Sequence, residues 1–519
     1  MLTAQRLVER SLAAYRNRVF VIDQHGERTY GEVGLRSARL ANALLALGSS
    51  ATRPTTIFLP NDSRFIEIDL ACMRAGITRV AISTRLSADE CQFIVNHSQS
   101  AVLVTNEGLL SKLDRNEFDE LKAILLVDAK AESYGAVRNY ESVVSQGRPE
   151  LTVSPVLPGH SAYILYTSGT TGRPKGATHT HASRVAAAIN MLSSEVVANR
   201  HSTMVHCAPL THGSGSKVLS FMAAGARNLI LPRFEPEEFA RAVQTHGGTH
   251  SFMVPIMLQM LIDSGDKVCN RVRKMAQISF GGAPISNVLF GRSLEELGPI
   301  LTQVYGSCEA PHPITVMRPD DYLPAPDPSA MAESAGRATH ATEIRVLDDD
   351  GRVVRAGIEG ELVVRADHLM RGYWRDDEAT AAVIDREGWY ATGDVAIVDE
   401  QGFVYFKDRK RDLIISGGLN IYPSEVERVL ACHPGVREVT VVSYPDKHWG
   451  ESVLACIVPR DGAAISESGI IEWIADRIAS YKKPRKVLFM AELPKGSTNK
   501  VLKRELKAKL WEGKARRIN

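Results

Sequence analysis

Apolar positions along the first 160 residues come in two rhythms. Solid apolar or β-branched runs, Thr55-Thr56-Ile57-Phe58-Leu59 and Ala101-Val102-Leu103-Val104, alternate with stretches spaced for one helical face, such as 35–47. That alternation predicts a mainly parallel sheet covered by helices. A second such region holds Asn228-Leu229-Ile230-Leu231, a helix over 236–245 and a strand over 250–254. From about Ala335 the texture changes to short alternating segments, Glu343-Ile344-Arg345-Val346-Leu347 and Glu361-Leu362-Val363-Val364, which predict a small antiparallel unit. After the charged cluster Lys407-Asp408-Arg409-Lys410-Arg411-Asp412 the pattern restarts, with helices expected over 425–432 and 470–480 and a strand over 438–443. The fold class is therefore α/β: a large N-terminal domain, 1–410, of two helix-flanked, mainly parallel sheets plus the antiparallel unit, then a small α+β domain, 411–519.

A chain of 519 residues exceeds what one core covers, and 44% hydrophobic with 24% charged residues is an ordinary globular composition. The longest strongly apolar run, about 253–262, is too short to span a bilayer, and the N-terminus has no apolar core behind its charge. A cytoplasmic protein without an integral membrane segment is expected. The 7 cysteines contain no C-x-x-C pair, which supports neither a disulfide framework nor a zinc knuckle. From Tyr481 onward thirteen Lys and Arg face three Asp and Glu, a net +10, so the remainder carries −8 of the chain's +2. Without interleaved aromatics, and with Val501, Leu502 and Leu506 at helical spacing, this tail reads as a solvated amphipathic helix near an anionic small-molecule site, not a nucleic-acid surface.

The candidate chemistry begins at Tyr166-Thr167-Ser168-Gly169-Thr170-Thr171-Gly172-Arg173-Pro174-Lys175-Gly176, after the apolar run 162–165 and before a stretch that reads as helix. Glycines let such a loop turn its N–H groups toward an anion, the hydroxyls add donors and Lys175 adds charge, so a polyphosphate is the natural guest. No Gly-Lys-Ser/Thr closes it, which excludes a Walker loop. The G-x-S-x-G, H-E-x-x-H and G-x-G-x-x-G signals are absent as well.

Six segments, in order, resemble the adenylate-forming acyl-CoA synthetases: this loop, Gly281-Gly282-Ala283-Pro284, Tyr305-Gly306-Ser307-Cys308-Glu309, Thr392-Gly393-Asp394, Asp408-Arg409 through Ser416-Gly417-Gly418-Leu419-Asn420, and Pro494 to Lys500. The resemblance covers essentially the whole chain and implies a carboxylic acid, ATP, Mg²⁺ and CoA as reaction partners, with a homodimer common among relatives. It implies that Lys500 bridges the carboxylate and the α-phosphate, that Tyr305 stacks on adenine, and that Gly282, Ala283, Gly306, Ser307 and Cys308 also belong to the nucleotide site. It implies that Glu309 holds Mg²⁺ together with Thr171, and that Asp394 and Arg409 hold the ribose. Asp394, after the Thr392-Gly393 turn and before an apolar strand, is expected to be an exposed carboxylate. The loop at Gly417 and Gly418 would admit the pantetheine arm once the C-terminal domain, hinged at Arg411, has swung. Three residues depart from the family pattern: Cys308 replaces a threonine hydroxyl, Asn499 a glycine, and Arg411 the usual hinge Lys or Asp.

The segment His206-Cys207-Ala208-Pro209-Leu210-Thr211-His212-Gly213-Ser214-Gly215 resembles the lining of an acyl pocket, in which His212 would face the substrate carboxylate. It holds no acidic residue, which argues against an amino acid as substrate. Gly213, Gly215, Gly281 and Gly306 are expected to leave a roomy apolar pocket for an aromatic, alicyclic or medium-to-long acyl group. Two other readings stay open: a ligase that loads the phosphopantetheine of a carrier protein, and a nucleotide-binding relative that has lost catalysis.

Overall fold

The computed structural model describes residues 2–511 except 130–132, 135, 152, 154, 168–172, 417, 418, 447 and 497–500. The chain divides into two compact units, Met1–Ile344 with Val364–Tyr390, and Arg345–Val363 with Ala391–Asn519.

Two sheets build the first unit. In one, Leu301–Tyr305, Gln277–Gly281, His250–Met253, Thr203–His206, Arg227–Ile230 and Val19–Asp23 are neighbours in that order and all parallel. Antiparallel strands flank them, Thr315–Met317 and Ser334–Ala338 on one side and Gly26–Thr29 on the other. In the second sheet the parallel centre runs Ser161–Thr167, Arg79–Ala81, Thr55–Phe58, Val102–Thr105, Ala123–Leu126 and Val137–Asn139. The helices fall where the apolar spacing placed them. Tyr30–Ala46 opens on a Thr29–Glu32 capping box, and Pro236–His246 opens on Glu235 with proline in its first turn and stops at Gly247, φ +64°. Helix Ser63–Ala75 is buried nearly all round, so its carboxylates need partners. Glu67 takes Arg36 and the Tyr140 hydroxyl, and Asp69 takes Arg79 and Arg184.

The stretch after the phosphate-type loop corrects the sequence reading. It is a strand, Lys175–Thr180, antiparallel to Ser161–Thr167, and the helix starts only at His181. Thr180 supplies the reason, because its hydroxyl and Ser183 form the capping box that opens that helix. The loop thus joins two antiparallel strands where a strand and a helix were expected.

In the second unit the strands Tyr390–Val398 and Phe403–Arg409 pair antiparallel through a turn closed by Asp399 and Gly402. A hairpin, Ile414–Ser416 with Leu419–Ile421, follows, then helix Pro423–Ala431 and the long hairpin Val436–Asp446 with Gly450–Pro459. Lys486–Phe489 adds a parallel strand. Ile414, Val426, Leu430, Val441, Ala455 and Ile470 form its core. The helix expected over 470–480 spans Glu467–Ala475. The basic tail is less solvated than expected: in helix Lys503–Trp511, Leu506 is buried with Val442, Leu454 and Cys456, Lys503 pairs with Glu427, and Lys507 lies 3.7 Å from Asp412.

Candidate active site

Three parallel strands of one sheet end at or near the residues the sequence assigned to the site, and the carboxyl ends of such strands are where open α/β sheets bind ligands. Gly282 and Ala283 follow Gln277–Gly281 and are exposed, and Tyr305, half-buried, ends its own strand. Gly306 to Glu309 continue from it, all half-buried. His206 ends Thr203–His206, and His212 sits six residues on. Gly282 needs its missing side chain, since its φ is +82°.

Three side chains from separate segments meet beside these ends. Lys175, first residue of the strand that leaves the loop, holds its ammonium 5.2 Å from the centre of the Tyr373 ring. The Tyr373 hydroxyl donates to Glu309 Oε1 at 3.0 Å. Backbone pairing fixes this meeting: Tyr373 lies opposite Ala177, Trp374 N–H donates to Gly176 O at 2.7 Å, and Met370 N–H to Glu309 O at 2.7 Å. Burial, then the Glu309 carboxylate beside it, push the Tyr373 hydroxyl well above the usual phenol range, so it remains a donor. Sequence reasoning missed Tyr373. Its signal was an aromatic pair, Tyr373-Trp374, set between Arg371 and Arg375.

Behind Glu309 the backbone is held from below. His179 Nε2 lies 2.8 Å from the carbonyl oxygen of Cys308, and its ring stacks on Tyr163 at 4.6 Å and 14°. Arg79 and Arg184 lie 5.0 and 5.1 Å from the Tyr163 ring centre and both pair with buried Asp69. Burial lowers the His179 pKa to about 3, so the ring is neutral and its Nε2–H donates. Ser307 closes the turn: Ala310 N–H donates to its hydroxyl at 3.0 Å, and Ser307 N–H to Ala310 O at 2.8 Å.

The glycines of the expected acyl pocket do not leave open space. A Cβ on Gly215 would stand 1.8 Å from Leu210 O, on Gly281 2.2 Å from Val304 O, on Gly306 2.4 Å from His312 N, and on Gly213 2.8 Å from the Phe252 ring. They allow close approach of neighbours, which corrects the expectation of a roomy pocket at these positions. His212 Nδ1 lies 2.7 Å from Thr211 Oγ1, and the buried His206 bridges Ser214 and Asn228.

In the second unit Asp394 is buried within the strand Tyr390–Val398, and Arg409 Nε lies 2.6 Å from its Oδ1. The carboxylate expected to be exposed is therefore a buried strand residue already paired with the arginine expected to share its ligand. The residue before it, Gly393, has φ +71°, which fits a kink within the strand. Thr167, half-buried, ends the strand that enters the loop. Ser168, Gly169, Thr170, Thr171, Gly172, Gly417, Gly418, Asn499 and Lys500 lie outside the described residues.

For a hard divalent cation the fitting donor is Glu309, a half-buried carboxylate whose hydrogen-bonding partner is a neutral hydroxyl. Asp23, His25 and Asp62 also cluster, but the Arg64 guanidinium reaches both Asp62 oxygens, at 2.8 and 2.5 Å, and serves as the cation there.

Comparison with known proteins gives this arrangement its family. The family model of the AMP-binding enzymes matches residues 8–374, and that of the AMP-binding enzyme C-terminal domain matches 425–500. A feruloyl-CoA synthase of an Amycolatopsis species is 34% identical over 92% of this chain and 93% of its own. The long-chain-fatty-acid–CoA ligase FadD13 of Mycobacterium tuberculosis is 32% identical over 92% of each chain. Among solved structures, the amide bond synthetase McbA of Marinactinospora thermotolerans superposes with a TM-score of 0.85 at 27% identity, covering 98% of this chain and 99% of that one. The chain belongs to the adenylate-forming AMP-binding enzymes and is an AMP-forming acid–CoA ligase.

Proposed function

We propose that the protein converts a hydrophobic carboxylic acid, ATP and CoA into an acyl-CoA, AMP and pyrophosphate through an acyl-adenylate. The observation that carries this reading is the convergence of Lys175, Tyr373 and Glu309 at the root of the hydroxyl- and glycine-rich loop, with Glu309 four residues past the strand end at Tyr305. A carboxylate oxygen attacks the α-phosphorus and the bond to pyrophosphate breaks. The CoA sulfur then attacks the acyl carbon, the thiol proton passes to solvent and the bond to AMP breaks.

Both reactants of the first step are anions, so fixed positive charge and oriented donors dominate its barrier. Lys175 and the loop residues 167–172 cradle the phosphates, Lys500 bridges carboxylate and α-phosphate, and His212 orients the acid. Tyr305 takes the adenine, Gly282, Ala283, Gly306 and Ser307 complete the nucleotide site, and Asp394 with Arg409 takes the ribose. Cys308, whose thiol is a weak donor, offers the α-phosphate less than Ser307 does. Glu309 with Thr171 would hold Mg²⁺, which when bound neutralises phosphate charge. Residues 411–519 form a lid that turns about Arg411, after which the Gly417–Gly418 loop admits pantetheine. The curated names among the relatives, feruloyl, indoleacetate, 2-succinylbenzoate and long-chain acids, favour an acid without a cationic group.

Acid-dependent ATP–pyrophosphate exchange across acids of graded size, followed by thioester formation with CoA or with a holo carrier protein, tests this function. Exchange with a ring-bearing or medium-chain acid and a thioester on CoA are expected. Preference for acetate, transfer only to the carrier, or no exchange with any acid contradicts it.

A further inference from the structure

From Gly306, next to Tyr305, contacts run through one line of side chains. A Cβ at position 306 would meet the His312 backbone at 2.4 Å, and the His312 ring stacks on Phe252, 5.3 Å between centres and 9° from parallel. Phe252 fills the space beside Gly213, and the Lys217 ammonium lies 5.7 Å from its ring centre. That ammonium is paired with Glu195, at 1% and 0% exposure. Burial, with Lys217 nearby, lowers the His312 pKa to about 4, so at neutral pH the ring stacks as a neutral aromatic. Glu195, despite burial, stays below the usual carboxylate range because Lys217 faces it.

We propose, resting on the acyl-CoA ligase reading above, that the His312–Phe252 stack backed by the Lys217–Glu195 pair closes the end of the acyl pocket, and that the substrate is a compact planar aryl or arylalkyl acid of one or two rings. Parallel rings present a flat apolar face that an aromatic ring matches by offset stacking. An alkyl tail longer than the slot meets a pair of desolvated charges. Pushing either charge aside strands its partner without solvent, so the pair resists displacement far better than a leucine or methionine would. Gly213 and Gly306 serve the same end, since they let the Phe252 ring and the His312 backbone stand close.

The test compares pyrophosphate exchange by the full chain with benzoate, phenylacetate and cinnamate against decanoate and palmitate. It is repeated on the double variant Lys217→Met with Glu195→Leu, which replaces the charges by similar apolar volume and avoids an unpaired buried ion. Wild type is expected to favour the best ring acid over palmitate by about a hundredfold or more in kcat/KM, and the double variant to shift the decanoate-to-cinnamate ratio upward about tenfold. Palmitate turned over as well as cinnamate overturns the inference and leaves the ligase reading intact. An unchanged ratio in a folded double variant overturns the role of the ion pair. Absence of exchange with every acid overturns the ligase reading, and the inference falls with it.

Discussion

The two units differ in how deeply they bury paired charge. Besides surface pairs such as Arg292 with Asp263, the first holds pairs that are desolvated on both sides: Asp69 with Arg79 and Arg184 at 6%, 7% and 8% exposure, and Lys217 with Glu195 at 1% and 0%. In the second, among the described residues, each pair keeps at least one partner nearer water: Asp394 with Arg409 at 10% and 39%, Lys482 with Glu425 at 18% and 31%, Lys495 with Glu438 at 32% each. A desolvated pair admits one geometry, because removing either partner strands a buried charge, whereas a solvent-shared pair is exchanged for water at little cost. The first unit is therefore built to hold side chains in place under the strand ends that bear Glu309 and Tyr305. The second has a compact apolar core but no described pair desolvated on both sides to that degree, which suits the lid proposed within it, residues 411–519, to serve two half-reactions from different positions.

The sharpest break in this contrast is Asp69→Ala. It leaves two buried guanidiniums without their anion and is expected to cost about 3–5 kcal/mol in denaturant unfolding. A loss under about 1 kcal/mol would show that the pair is not compulsory. Acid comes next. Burial lowers His179 to about 3 and His181, His206, His250, His312 and His368 to about 4, all in the first unit. Against an unfolded value of about 6.5, the unfolded chain binds more protons as pH falls below that value. Stability is then full above about pH 6.5 and declines toward about pH 4, each such histidine contributing up to about 1.4 kcal/mol per pH unit. Unfolding followed at Trp374 or Trp389 should show this decline, and a flat profile between pH 6.5 and 4.5 would contradict the buried neutral histidines.

Tyr373→Phe removes a hydrogen bond to a carboxylate while keeping the ring under Lys175. About a tenfold loss in kcat/KM for ATP is expected, with a thermal midpoint close to wild type. Unchanged kinetics would dissociate Tyr373 from the Glu309 site. Smallest is Lys495→Ala in the second unit, expected to shift stability by less than about 1 kcal/mol.

Much of the architecture was legible because it is written locally. Helix Pro236–His246 carries its start in Glu235-Pro236, its stop in Gly247 and its buried face in Phe239, Ala240 and Val243. The illegible parts depend on distant partners. Tyr373 reaches Glu309 across 64 positions through a two-residue pairing with the strand after the loop, which no periodicity encodes. Gly213 and Gly306 read as open space in the sequence because the sequence does not show that Phe252 and His312 occupy it. Asp394 read as an exposed carboxylate after a Thr-Gly turn, but Gly393 takes its positive φ inside a strand and Arg409 lies across the ladder. The Lys217–Glu195 pair had one visible sign, a lysine opening the apolar helical run Val218–Ala223.

The most direct test of the central claim separates the two half-reactions in Lys500→Ala. Acyl-adenylate formation from acid and ATP should fall by about a thousandfold, as for loss of a group that stabilises developing charge in the transition state. Thioester formation from synthetic acyl-adenylate and CoA should stay within a few-fold of wild type. Persistence of the first half-reaction, or equal loss of both, would contradict the account.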